Sequence, residues 1–199
     1  MRKLVKLVVV LGLAVVMTTS MSCKKANEEK QPPAAPAATE PGLPVLFSFE
    51  TDDAVAAWKV EEVEDVAKAC KVSASTENAT DGKRSLKMVL TEHKWPGAYT
   101  TTFPTTDWSG YKKLKFDVTT DQPRNLHIRI DDTDSTDYAS RYNSGGEDLD
   151  KGKTTVEVYL DDVADDISLK KIARLVLFGS GVPAGETWTY YIDNIRLEK

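Results

Sequence analysis

Residues 127–143, "HIRIDDTDSTDYASRYN", set His127, Arg129 and Asp131 at alternate positions around Ile128 and Ile130. Strand side chains point to opposite faces in turn. The isoleucines can therefore enter a core while imidazole, guanidinium and carboxylate line up on the other face. A guanidinium fork next to a carboxylate offers donors and acceptors side by side, and each group orients the other. The competing reading is a solvated strand face with a cross-strand ion pair, for instance to Lys113, Lys115 or Arg141. Such exposed pairs contribute only about 0–1 kcal/mol. The acidic run "DDTDSTD" (131–137) does not make a calcium loop of the EF-hand kind. Counting from Asp132, Asp134 fits the third position, but Thr136, Asp137 and Asn143 fail the fifth, the glycine and the closing glutamate. A solvated acidic loop is the simpler expectation.

Signals of catalysis are weak. There is no Gly-Xaa-Ser-Xaa-Gly elbow, no phosphate loop and no zinc spacing, and the histidines are His93 and His127. Carboxylates are abundant, so a hydrolytic pair is not excluded by counting. A short sandwich without long loop insertions is nevertheless a poor host for one, and the expectation is a protein that is not an enzyme.

The elements that must position these residues read as strands. Period-2 alternation runs through "LFSFE" (46–50), "KVSAS" (71–75), "RSLKMVLT" (84–91), "GAYTTTF" (97–103) and "KKLKFDVTT" (112–120). It continues in "NLHIRIDD" (125–132), "TTVEVYL" (154–160), "IARLVLF" (172–178) and "TWTYYIDNIRL" (187–197). Turn signals such as "DGK", "SGG" and "PAG" separate the runs. The clear helical possibility is "DDAVAAW" (52–58). Many short antiparallel strands without interleaved long helices predict an all-β sandwich or jelly roll over residues 45–199, a length that can hold one good core. Trp58, Trp108 and Trp188 sit at strand edges or before core runs and are expected to be packed; Phe47, Phe49, Phe116 and Phe178 are core by pattern.

Four stretches, "LFSFETDDAVAAW", "ATDGKRSLKMVL", "DWSGYKKLKFDV" and "YYIDNIRLEK", occur in an order that resembles galactose-binding-like jelly rolls. These include non-catalytic carbohydrate-binding modules of the family 11 type and the complex I intermediate-associated type of domain. The resemblance covers essentially all of 45–199. It implies that Arg129 and Asp131, with His127 one step earlier, hydrogen-bond sugar hydroxyls from one strand of a sheet. Pyranose rings stack on aromatic faces, which nominates Trp95 and Tyr99 in "HKWPGAYTTTF" and Tyr138 and Tyr142 around the acidic loop. Trp95, before Pro96, falls in a loop, where a large aromatic is more often exposed. The resemblance also implies a structural calcium shared by Glu50 and Asp193, with carbonyls of the "TDGKRS" loop and Asp52 as an extra ligand. Calcium takes six to eight oxygens. The plainer alternative pairs Glu50 and Asp193 with Arg84 or Lys83.

The first 22 residues carry a basic start (Arg2, Lys3, Lys6), an apolar run "LVVVLGLAVVM" and a small polar stretch before Cys23. That is a secretory signal, its apolar core too short for a permanent span. "SMSC" (20–23) resembles a bacterial lipobox, although Ser20 departs from the usual Leu. It implies that Cys23 is acylated and anchors the chain in the cell envelope, facing periplasm or exterior; ordinary cleavage with Cys23 incidental is the alternative. Cys70 then has no disulfide partner and reads as a buried small hydrophobe. Residues 24–44 hold five prolines and no aromatic, so 23–44 forms a lipidated, disordered tether reaching at most roughly 65 Å. The whole chain carries −5; without the three signal-segment cations it carries −8. Nucleic acid is accordingly not expected as a partner. The expected partners are a glycan or polysaccharide and, through the anchor, a membrane. The alternative is an envelope structural or assembly lipoprotein whose sandwich docks another protein.

Overall fold

The computed structural model describes residues 44–60 and 67–199. The signal segment, Cys23 and the tether as far as residue 43 lie outside them. The described residues form two antiparallel sheets. In the first, β10 (Gly152–Tyr159), β6 (Lys113–Thr120), β12 (Val182–Glu198), β4 (Ser85–His93) and β3 (Cys70–Ser75) lie in that order, and β1 (Val45–Phe47) also pairs with β12. In the second the order is β2 (Trp58–Val60), β5 (Gly97–Thr100), β11 (Ile172–Phe178), β7 (Arg124–Asp132) and β8 (Tyr142–Asn143), with β9 (Glu147–Leu149) pairing to the start of β7. This is the jelly-roll β-sandwich that the alternation predicts. The helical turn falls at Asp52–Ala56, where Thr51 Oγ1 accepts from the Ala54 N–H at 3.2 Å and two aspartates occupy the first turn.

Both sheets bury the expected phase of each strand. Leu86, Met88 and Leu90 of β4, Leu114, Phe116 and Val118 of β6, and Tyr190 and Ile192 of β12 face Leu126, Ile128 and Ile130 of β7 and Leu175 and Leu177 of β11 across one core. Each large aliphatic side chain buried in this way stabilises the fold by about 1.5–3 kcal/mol. Trp58, Trp108 and Trp188 are all buried, at 2 %, 0 % and 8 % exposure. Cys70 lies in the core as a free cysteine, and burial pushes its thiol up to about 12, so it is inert as a nucleophile.

The two outer sheet faces differ. On the first sheet, Lys113 and Lys115 of β6 both bond Glu157 of β10 at 2.6 Å, and Lys115 reaches Glu198 of β12 at 3.1 Å. The two lysines hold the Glu157 carboxyl down at about 2. Charge there is neutralised within the sheet. On the second sheet the outer face carries a groove.

Candidate functional site

Three neighbouring strands build the groove floor. On β7, His127 and Arg129 point outward between the buried Leu126, Ile128 and Ile130. The ladder sets His127 opposite Phe178 and Arg129 opposite Val176 of β11 on one side, and Arg129 opposite Asn143 of β8 on the other. The His127 and Phe178 rings stack side by side at 5.1 Å and 18°. Trp95 stands as a wall edge-on to both, its ring 6.0 Å from each, and is 45 % exposed.

The wall is held by its backbone. The Lys94 carbonyl accepts from the Gly181 N–H at 2.8 Å and the Pro96 carbonyl from the Gly179 N–H at 2.9 Å. Gly97 lets this segment lie flat on β11, because a Cβ there would sit 2.4 Å from Phe178 Cβ and 2.6 Å from the Leu177 carbonyl. Gly146, at φ +96°, closes against His127 in the same way, with a Cβ falling 2.7 Å from its Cε1.

Arg129 and Asp131 form a two-pronged pair along one strand: Nε donates to Oδ1 at 2.7 Å and Nη2 to Oδ2 at 2.5 Å. The Asp131 side chain is 9 % exposed and that of Arg129 is 23 %. The cross-strand partners considered from sequence are therefore not used, since Lys113 and Lys115 belong to the other sheet. The acidic loop is a turn that aims the next segment. Asp132 accepts from the N–H groups of Asp134 and Ser168, both at 2.9 Å, and from Ser135 Oγ at 3.0 Å. Burial works to raise this carboxyl, but those hydrogen bonds prevail and its pKa is lowered. Asp137 caps the short helix Tyr138–Ser140 by accepting from the Ala139 and Ser140 N–H groups. That cap presents Tyr138, 72 % exposed, at the groove mouth, with the Arg141 guanidinium 5.2 Å from its ring centre.

The result is a groove of about 600 Å³, within the range of small-ligand sites. It is lined by Trp95, His127, Phe178, Arg129, Tyr138 and Arg141, with Asn143, Ser144, Gly145 and Val176 completing it.

Two of the aromatics nominated from sequence lie elsewhere. Tyr99 is only 8 % exposed, and the Arg174 guanidinium covers its ring at 3.8 Å, so no sugar can stack there. Tyr142 pairs opposite the inward-facing Ile130 and packs against the core, and burial raises its hydroxyl pKa. Phe178, expected in the core, is instead part of the groove floor, because in "IARLVLF" Leu175 and Leu177 take the inner phase. Arg141 and Asn143 are site residues that the sequence reading did not single out as ligand contacts; the two-residue strand β8 carries too little pattern to announce them.

At the far side of the fold, Glu50 and Asp193 meet the same turn, residues 80–84. Glu50 Oε1 accepts from the Lys83 and Arg84 N–H groups at 2.8 and 2.7 Å. Asp193 Oδ2 accepts from those of Thr80 and Asp81 at 2.6 and 2.8 Å, and Oδ1 from Asn194 at 2.7 Å. Asp193 is 1 % exposed, and burial raises its carboxyl pKa to about 6 despite these hydrogen bonds. Beside it, Asn194 Oδ1 is buried without a partner. Asp52 is not part of this cluster: its carboxylate takes the Arg84 guanidinium at 2.8 Å, with the Asp52 side chain 96 % exposed. Among the described residues no three His, Cys, Asp or Glu side chains converge as a metal cluster. What a hard cation would find here is the pair of carboxylates on one turn, the exposed Glu50 and the buried Asp193, with the Arg84 guanidinium also reaching the Glu50 carbonyl at 3.4 Å.

The chain is thus a two-sheet jelly roll with an aromatic-walled, arginine-bearing groove on one outer face. The sequence model of the carbohydrate binding domain (family 11) matches residues 29–198, and the chain belongs to that family. Among solved structures, a family 11 carbohydrate-binding module from Clostridium thermocellum in complex with a β-1,3-1,4-mixed-linked tetrasaccharide is similar at TM-score 0.58 and 17 % identity, over 79 % of this chain and 95 % of that one. A solution structure of a module of the same family is similar at TM-score 0.58 and 18 % identity, over 81 % and 97 %. An exo-β-agarase is similar at TM-score 0.59 and 18 % identity; 77 % of this chain matches only 25 % of that enzyme. No curated protein matches the chain. The family supports a carbohydrate-binding domain that takes oligosaccharide or polysaccharide.

Proposed function

We propose that the protein is a membrane-anchored lipoprotein of the bacterial cell envelope whose sandwich binds a glycan without cleaving it. The observation that carries this reading is the groove: a sugar ring can lie on the His127–Phe178 floor against the Trp95 wall while its hydroxyls meet Arg129, which Asp131 holds in place from beneath. Absence of catalysis is argued from the same place. Glycoside hydrolysis uses two carboxyl groups flanking the bond, whereas the Asp131 carboxylate gives both oxygens to Arg129. Affinity electrophoresis of the purified protein through gels containing soluble polysaccharides tests the reading. Retention by at least one is expected, and Trp95→Ala should weaken it about tenfold through lost stacking. No retention by any polysaccharide would reject glycan binding.

The anchor is proposed from the signal segment that ends on Cys23. Cys23→Ala should move the protein from the membrane fraction to the soluble one. A variant that stays with membranes would reject lipidation.

We further propose that Glu50 and Asp193, with carbonyls of the 80–84 turn, hold a structural calcium, which would neutralise a buried carboxylate and fix that turn to the last strand. A cation bound only by the native state stabilises it, so chelator should lower the melting temperature and calcium restore it. The sign of the pH dependence follows from Asp193. Its ordinary value is 3.8 and its folded value about 6, so in calcium-free protein this group favours the fold below pH 3.8 and loses that contribution as pH rises through about 6. Calcium needs the ionised form. The melting gap between calcium-loaded and chelated protein should thus be widest at neutral pH and close as pH falls below about 6. Coincident melting curves at pH 7 would reject the metal.

A further inference from the structure

The groove's charge is opposite to that of the chain around it. The chain without its signal segment carries −8, yet the residues lining the groove include two arginines and a histidine and no carboxylate. Asp131, on the strand of the groove floor, lies under Arg129 with both oxygens engaged. That pair uses Nε and Nη2 of Arg129 and leaves its Nη1 donors outside it. Lys94 adds a further cation at the rim, its Nζ 5.6 Å from the Trp95 ring centre.

Arg141 is the telling residue. Arg84 meets Asp52, Arg124 meets Asp121 and Arg196 meets Glu198, while the Arg174 guanidinium lies over the Tyr99 ring outside the groove. Among the described residues Arg141 has no carboxylate partner. Its Nε, like those of Arg124 and Arg174, is buried with no acceptor, but Arg141 is the one of the three that lines the groove, with its guanidinium against the Tyr138 ring. A desolvated donor left unmatched in a groove costs stability unless a ligand completes it. The acceptor geometry that a guanidinium matches best is a planar or tetrahedral oxyanion, taken by two parallel N–H···O bonds.

Building on the glycan-binding reading, we infer that the groove selects an acidic polysaccharide, with the oxyanion of a charged sugar docking on Arg141 and the adjacent sugar ring resting on the Trp95–His127–Phe178 platform. Neutral glycans would satisfy the platform and Arg129 but leave Arg141 unmatched. The oxyanion is a uronate carboxylate or a sulfate ester, and one experiment separates these sources.

The full-length protein is run in affinity electrophoresis against polygalacturonate, a sulfated galactan, a neutral mixed-linked β-glucan and poly-glutamate at equal mass. Retention by polygalacturonate or by the sulfated galactan, at least tenfold stronger than by the neutral glucan, is expected; whichever is preferred identifies the oxyanion. Retention should weaken with added salt. Arg141→Gln should lower acidic-glycan retention tenfold or more, with an unchanged melting temperature as the folding control. Arg141→Lys, which keeps the charge but not the fork, should recover part of it. Equal or stronger retention by the neutral glucan would overturn the inference while leaving glycan binding intact. Equal retention by poly-glutamate would overturn it in favour of unspecific polyanion attraction. No retention by any polysaccharide would overturn it together with the glycan-binding reading.

Discussion

Trp108→Ala is expected to lower the melting temperature by on the order of 10 °C while leaving glycan retention in the cold unchanged. Trp108 is fully buried, its indole N–H donates to the Thr105 carbonyl at 3.1 Å, and Phe103 meets its ring edge-on at 5.6 Å. Its backbone N–H also ties the 105–111 loop to the Leu169 carbonyl at 2.7 Å. Truncating a buried tryptophan to alanine costs about 3–5 kcal/mol, the lost transfer energy plus the cavity left behind. For a domain of this size each kcal/mol moves the midpoint by about 2–4 °C. Trp108 lies outside the groove, so its loss should not alter the binding surface of the molecules that remain folded. Trp95→Ala should behave in the opposite way, with a small melting change and lost retention. Melting and retention measured on both variants separate the packed indole from the exposed one. An unchanged midpoint for Trp108→Ala would mean that the core collapses around the gap and that the burial argument fails for this position.

The contrast between these two tryptophans was legible in the sequence. Trp95 precedes Pro96 in a segment with no alternation, while Trp108 leads into the core run of β6. Likewise the phase of β7 is explicit, because polar and apolar residues alternate without interruption from Leu126 to Asp131. The phase of β11 is not. "LVLF" is apolar at every position, so nothing local says that Val176 and Phe178 face the groove while Leu175 and Leu177 face the core; the register with β7 decides it. Tyr99 had the same ambiguity, and what buries it is Arg174 from the neighbouring strand, a contact fixed only by sheet order. Sheet order also explains why Lys113 and Lys115 were plausible partners for β7 on sequence grounds and are on the other sheet in the fold. Arg141 was visible as a basic residue near an acidic loop, but its lack of a carboxylate is a property of the assembled groove.

Arg129→Ala and Asp131→Ala should each cost both binding and stability, and the double variant should separate the two effects. Both side chains face away from Ile128 and Ile130, yet neither is freely solvated: Asp131 is 9 % exposed and Arg129 is 23 %. Removing Arg129 strands a nearly buried carboxylate, whereas removing Asp131 strands a guanidinium that is better placed to reach water. A buried charged group left without its partner costs about 1–3 kcal/mol or more, so Arg129→Ala should melt earlier than Asp131→Ala. Replacing both removes the stranded charge and should return part of the lost stability, since the attraction within such a pair is largely offset by desolvation of its members. Binding has no such recovery. Arg129 lines the groove and Asp131 beneath it fixes its orientation; a hydrogen bond to a charged group is worth roughly 1.5–3 kcal/mol, so retention should fall at least tenfold in Arg129→Ala and in the double variant, and by less in Asp131→Ala. Melting curves and glycan retention on wild type, the two single variants and the double variant form a complete cycle. A double variant that melts no later than Arg129→Ala would show that the pair contributes through packing and not through matched charge. Single variants that retain glycan like the wild type would remove the pair from the binding surface and leave the aromatic platform and Arg141 as the recognition elements.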